Sequence, residues 1–227
     1  MKRKVTVLIL CGGKGERLRP LTESTPKPLI HINDRPILSY LLDYIQKFEI
    51  TDIVVAVGFK AEKIKTYFKN KYTDLNITIV DSGDVDIIDR IKSCSHYIND
   101  DFILLYGDTL ADVNFNKLQE YHYSHNLDAT ITLLPLKSQF GLVELDCESN
   151  ITSFEEKPTL NHWINIGNFY YDKKILSQMK NYSSYARFLE DMGLEKKMKG
   201  YKHDGVHITV NTLRELEDAE QNIHEFE

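Results

Sequence analysis

Four short apolar runs mark the first half of the chain, at residues 5–10, 52–57, 76–80 and 102–106. Each is rich in branched side chains and bounded by glycine or polar residues, the pattern of strands. The first, second and fourth are apolar on both faces, which predicts interior strands of a largely parallel sheet. Between them the period changes. Residues 37–48 carry Leu38, Leu41, Leu42 and Ile45 on one stripe, and residues 60–69 carry Ile64, Tyr67 and Phe68, so both are predicted helices. The alternation predicts an α/β fold: a Rossmann-like, doubly wound, mixed but mainly parallel sheet. Ligands of such sheets lie beyond the carboxyl ends of the strands, where loops 11–27, 58–60, 81–86 and 107–112 would converge.

The second half is less regular. Residues 129–136, 141–145 and 164–171 read as strands, and 182–192 and 213–226 as helices. A mixed sheet extending the parallel core is the simplest arrangement. There is no repeat, low-complexity tract or Gly/Ser linker, and the second half carries too little apolar material for a core of its own. Residues 1–227 are therefore expected to form one domain with a division near residue 112.

Composition narrows the function classes. Hydrophobic residues make up 42% and charged residues 27% of 227, an ordinary globular balance. With 28 basic and 34 acidic side chains the net charge is −6, which gives no global attraction to nucleic acid or to an anionic membrane. The basic start Met-Lys-Arg-Lys precedes an apolar run too short for a signal peptide and without a cleavage site, and no stretch reaches transmembrane length. A cytoplasmic protein is expected. Cys11, Cys94 and Cys147 are far apart with no metal-ligand spacing, and read as reduced thiols. His122 and His125, three apart on a helical segment without a third ligand, read as surface residues; His203 and His207 stay unassigned.

The strongest local signal follows the first strand directly. Leu10 and Cys11 lead into Gly12, Gly13, Lys14, Gly15, Glu16 and Arg17. Three glycines in four positions let the backbone turn tightly and offer successive N–H groups to an anion. Arg17 adds a planar fork suited to phosphate oxygens, and Lys27 is stiffened between Pro26 and Pro28. The dinucleotide spacing fails because Leu18 stands where its third glycine belongs, and the Walker spacing fails too. Asp108 closes the fourth strand with a carboxylate suited to Mg²⁺, while Asp112 fits the cap of the following helix better.

These residues, from Gly12 to Thr22 and then Pro26-Lys27-Pro28-Leu29, resemble the signature of the sugar-1-phosphate nucleotidyltransferases, also called NDP-sugar pyrophosphorylases. The likeness extends over nearly the whole chain. It implies a nucleoside triphosphate and a sugar 1-phosphate as partners, Mg²⁺ as cofactor, and a role in NDP-sugar biosynthesis for polysaccharides. By this resemblance the nucleotide half is about 1–112 and the acceptor half about 113–227. Leu10, the glycine loop with Lys14 and Glu16, Arg17, Lys27, Ser82, Gly83 and Asp108 would bind the nucleotide. Arg17, Lys27 and Asp108 would be catalytic, with Lys27 stabilising the departing pyrophosphate. On the acceptor side, Phe154-Glu155-Glu156-Lys157-Pro158 resembles the family's F-x-E-K-P motif, Phe140-Gly141 its F-G turn, and Asn165 and Gly167 its N-x-G strand. Gly141, Glu156, Lys157, Asn165 and Gly167 would then face the acceptor.

Two departures stand out. Many members place a second metal-binding aspartate late in the chain; here Asn211 takes that position, an oxygen ligand without charge. Many also carry an L-G-T-A-G stretch where this chain reads Asp81-Ser82-Gly83-Asp84, closer to the D-T-G-D of glucose-1-phosphate cytidylyltransferases, which leans toward CTP. Asp84 and Asp86 also fit as ordinary loop acids. The family is often dimeric or tetrameric, which leaves a homo-oligomer open. Two alternatives stay beside the enzyme: a regulatory homologue that binds without turnover, motivated by Asn211, and a transferase for a non-sugar phosphate such as phosphocholine.

Overall fold

The computed structural model describes residues 4–69 and 71–226; Met1 to Arg3 of the basic start lie outside the described residues. The main sheet has seven strands: β1 (Thr6–Cys11), β2 (Asp52–Val57), β3 (Asn76–Asp81), β4 (Phe102–Tyr106), β5 (Ala129–Lys137), β6 (Thr159–Tyr171) and β7 (Met198–Lys202). Their spatial order is β7-β5-β6-β4-β1-β2-β3. β4, β1, β2 and β3 are parallel, β6 is antiparallel to both β4 and β5, and β7 is parallel to β5.

The helices flank this sheet: α1 (Ile37–Gln46), α2 (Ala61–Phe68), α3 (Ile87–Cys94), α4 (Phe115–Tyr123), α5 (Ile175–Met179), α6 (Tyr185–Leu194) and α7 (Leu213–Asn222). Because strand side chains alternate, β1 feeds two cores. Val7 and Ile9 pack with α1, α2 and α4, whereas Leu8 packs with α3, α5 and α6. Both faces are therefore dry, which is why the interior strands lack polar alternation. Each fully buried Leu or Ile contributes about 1.5–3 kcal/mol.

Several expectations need correction. Of residues 141–145, Leu142–Leu145 pair with Ile151–Glu155 as a separate hairpin outside the main sheet, exposing Leu142, Val143, Leu145, Ile151 and Phe154. The helix expected from 182 starts at Tyr185, because the Ser184 hydroxyl accepts from the Arg187 amide. Asn114, not Asp112, caps α4 by accepting from the Lys117 amide; Asp112 lies 3.0 Å from His203 Nε2. His122 is no surface residue. It shares the buried stripe of α4 with Phe115, Leu118 and Gln119, and its ring nitrogens lie 2.9 Å from Thr130 Oγ1 and 3.0 Å from Asp172 Oδ1. All three cysteines are free, with Cys11 and Cys94 buried. Among the described residues no helix is long and apolar enough to cross a membrane.

Candidate active site

A cleft of about 900 Å³ opens at the carboxyl ends of β1 and β4. Leu10, Gly12, Gly13, Lys14, Gly15, Glu16, Arg17, Lys27, Asp108, Asn165, Gly167 and Asn211, all singled out from sequence, line it. Gly15 needs its missing side chain: its φ is +63°, and a Cβ would sit 3.0 Å from Thr22 Cγ2 and 3.3 Å from Lys27 Cβ. Its carbonyl accepts from the Leu18 amide and from the Thr22 hydroxyl, both at 2.9 Å, which starts the helical turn carrying Arg17. At Gly13, by contrast, a Cβ would meet nothing within 4 Å, so its backbone faces open cleft where a ligand can approach.

The charged centre lies one step further in. Gly107 lets the end of β4 press against β1: its amide donates to the Leu10 carbonyl at 3.0 Å, and a Cβ would strike Cys11 Sγ at 2.6 Å. This close approach sets Asp108 beside Lys27, whose ammonium donates to Asp108 Oδ2 and, at 2.8 Å, to Asn211 Oδ1. Arg17 Nη2 donates to the same Asn211 oxygen at 2.9 Å. Asn211 reaches this point because His207–Thr209 pairs antiparallel with Thr109–Ala111. The capping box of α7, Thr212 with Glu215, fixes its backbone, and Glu215 Oε2 also accepts from the Asn211 amide at 2.6 Å.

The donor set fits a divalent cation. Asp108 and Asn211 present a carboxylate and an amide oxygen around a point already occupied by the ammonium of Lys27. Two hard oxygen ligands suit Mg²⁺, which takes its remaining places from phosphates and water. No cluster of three or more His, Cys, Asp or Glu suited to a metal occurs among the described residues.

On the other side the 81–86 segment forms a wall. Asp81 Oδ1 accepts from the Gly83 amide, Asp86 caps α3 through the Ile88 amide, and Asp84 reaches across to Lys14 at 2.6 Å. Lys65, then the Gly83 amide, hold the Asp81 carboxyl below its usual pKa. Ser82 and Gly83 are outside the cleft lining; both are bonded to Arg90. Asp84, Val85 and Ile87 line it instead, together with Arg90, Tyr106, Thr109, His207 and Thr209, none of which was singled out as a site residue. Burial, and then the charge of Asp108, push the Tyr106 hydroxyl up to about 12.

The acceptor motifs divide. The Asn165 side chain accepts from the Gly167 amide at 2.8 Å, and Gly167, at φ +78°, leaves room for the Tyr106 ring, which a Cβ would approach to 2.6 Å. Gly141, Glu156 and Lys157 stand outside the cleft lining, at the base of the exposed hairpin. A Cβ at Gly141 would sit 2.8 Å from the Phe154 ring and 2.9 Å from Glu156 Oε2, and Lys157 Nζ is 4.0 Å from Glu156 Oε1.

A doubly wound sheet whose first strand opens into a glycine turn, facing a lysine held between two oxygen ligands, defines a nucleotidyltransferase of the nucleotide-diphospho-sugar transferase type. The chain belongs to the nucleotidyl transferase family, whose profile matches residues 6–210. It is 30% identical over 235 residues to the probable glucose-1-phosphate cytidylyltransferase of Bacillus subtilis, covering 92% of each chain. It is also 30% identical over 227 residues to the D-glycero-alpha-D-manno-heptose 1-phosphate guanylyltransferase of Aneurinibacillus thermoaerophilus, covering 96% of this chain and 98% of that one. The bifunctional protein GlmU of Methanocaldococcus jannaschii is 32% identical over 87% of this chain, which spans 49% of that longer protein. A putative glucose-1-phosphate thymidylyltransferase from Bacillus anthracis shares the fold, with a TM-score of 0.76 at 21% identity over 96% of this chain and 94% of that one.

Proposed function

We propose that this protein condenses a nucleoside triphosphate with a sugar 1-phosphate, giving an NDP-sugar and pyrophosphate. The observation that carries the reading is the ammonium of Lys27, held in the cleft between Asp108 and Asn211, with its side chain against Gly15 of the glycine loop. The glycine-loop amides and Arg17 receive the triphosphate. An oxygen of the acceptor phosphate attacks the α-phosphorus in line, a P–O bond forms, and the bond to the β-phosphate breaks as pyrophosphate leaves. Lys27 and Arg17 offset the charge on the leaving group, so catalysis rests on positioning and electrostatics. Asp108 and Asn211 would hold Mg²⁺, which would neutralise phosphate charge at that point. In this reading Gly141, Glu156 and Lys157 serve the acceptor, and the protein works in the cytoplasm.

CTP is the proposed nucleotide, supported by the Asp-Ser-Gly-Asp segment and by the cytidylyltransferase relative; the guanylyltransferase relative, equally identical, makes GTP its competitor. The test measures pyrophosphate release with CTP, GTP, UTP and dTTP against glucose, mannose and heptose 1-phosphates and phosphocholine, with Mg²⁺. Release that needs both substrates, and is fastest with CTP and a sugar phosphate, is expected. Nucleotide binding without release in every combination would instead select the regulatory reading that Asn211 motivates.

A further inference from the structure

Arg90 is a buried cation without a direct ion pair among the described residues. It is 4% exposed, lies on α3, and has no carboxylate within ion-pair distance among the described residues. Its guanidinium is satisfied by neutral oxygens instead. Nη1 donates to the Val57 carbonyl at 2.6 Å and to Ser82 Oγ at 2.8 Å. Nη2 shares its hydrogens among the carbonyls of Gly83 and Val85, each at 3.1 Å, and of Gly12 at 3.4 Å. Burial lowers its pKa from the usual value. An arginine without a direct ion pair is costly to bury, so this set of acceptors calls for a reason.

The neighbouring glycines make room for it. A Cβ at Gly12 would lie 1.9 Å from Arg90 Nη1, and one at Gly58 would lie 2.5 Å from the same atom and 2.3 Å from the Gly83 carbonyl. Gly12 is thus explained by an internal arginine, whereas Gly13 faces open space. Arg90 thereby joins three segments: the start of the glycine loop, the end of β2 and the 82–85 turn. From that turn Asp84 pairs with Lys14 across the cleft, and Val85 and Ile87 present partly exposed apolar surface to it. Phosphates belong near Gly13, Arg17 and Lys27; the apolar wall at Val85 and Ile87 suits a flat, weakly polar base.

We infer that Arg90 is the positioning residue of the nucleoside side: it locks the glycine loop and the 82–85 turn into one wall and so sets which base is accepted. The inference rests on the nucleotidyl-transfer reading of the cleft. A lysine cannot replace the arginine, because it offers three donors from one point and no fork that spans five acceptors.

The experiment is calorimetric titration of CTP, GTP, UTP and dTTP into wild type, Arg90→Lys and Ser82→Ala, with circular dichroism melts of each and KM for both substrates. For folded Arg90→Lys the preferred nucleotide should bind at least tenfold more weakly. Its margin over the other three should shrink at least threefold, with acceptor KM changed less than twofold. Ser82→Ala removes one acceptor and no charge, and should shift nucleotide affinity at least twofold the same way. It decides the matter if Arg90→Lys does not fold. Folded variants that keep wild-type nucleotide affinities and rank order overturn the role of Arg90 and leave the transferase reading standing. A wild type that binds none of the four nucleotides overturns both.

Discussion

Lys27→Met separates charge from packing at the centre of the site. Methionine keeps the buried stem and removes only the ammonium that Asp108 and Asn211 share. Breaking a fully buried ion pair costs about 3–5 kcal/mol, because one charge is left alone. Here the Lys27 side chain is 10% exposed and that of Asp108 28%, so water still reaches the carboxylate. The cost to stability without metal should fall to about 1–2 kcal/mol. The effect on turnover should be larger, since the ammonium faces charge that grows as pyrophosphate departs. Removing one such preorganised group slows catalysis by about 10²–10³, or about 2.7–4 kcal/mol. Asp108 without its lysine should also bind a divalent cation more tightly, so added Mg²⁺ should raise the melting temperature of Lys27→Met more than that of wild type. Urea unfolding, steady-state pyrophosphate release and a Mg²⁺ thermal-shift series measure the three quantities. A variant within threefold of wild-type turnover would refute the role of Lys27. A variant whose Mg²⁺ response matches wild type would refute the shared site.

Other outcomes follow from the same geometry. Asn211→Asp adds a carboxylate beside Asp108 where Lys27 and Arg17 already donate, so the Mg²⁺ concentration for half-maximal pyrophosphate release should fall about 5–30-fold, equivalent to about 1–2 kcal/mol; no change would remove Asn211 from the metal set. Gly107→Ala drives a Cβ against Cys11 Sγ and the Leu10 carbonyl, and should cost about 1–3 kcal/mol in a urea melt. Thr212→Ala breaks the capping box of α7 and should cost about 1 kcal/mol in the same assay. Burial, and then His203, lower the His207 pKa from 6.5. The fold prefers the neutral ring and the unfolded chain binds the proton more readily, so stability should be lost as pH falls below about 6.5. His207→Gln should flatten that slope between pH 5 and 7, and equal slopes would contradict it.

The interior strands β1, β2 and β4 of the parallel core were readable because they are buried on both faces and carry long apolar runs, as Val7, Leu8 and Ile9 illustrate. The glycine loop was readable as a place but not fully as a mechanism. Gly12 and Gly13 look alike in sequence, yet a Cβ at the first would strike Arg90 and one at the second would meet nothing within 4 Å. A signal for Arg90 was present: it falls three residues after Ile87 and four before Cys94, a charge set among apolar positions of one helix. His122 is similar, since its spacing from Phe115, Leu118 and Gln119 marks the inner face of α4. The acceptor motif failed differently. Phe154, Glu156 and Lys157 identify a family position, but where a two-stranded hairpin points depends on packing that no local pattern encodes.

The placement of β6 has a consequence for how the chain is made. Residues 102–105 of β4 find their outer partners only at 168–171. During synthesis the nucleotide-binding strands therefore emerge with one flank of β4 bare, a row of unpaired amides and carbonyls beside Phe102 and Leu104. They stay bare until the strand that covers them leaves the ribosome. Pairing over such a distance is slow and leaves the nascent chain open to association with its neighbours. The stretch that carries the glycine loop, Lys27 and Asp108 is thus incomplete as a folding unit, and a fragment ending near residue 112 would inherit that exposed flank permanently.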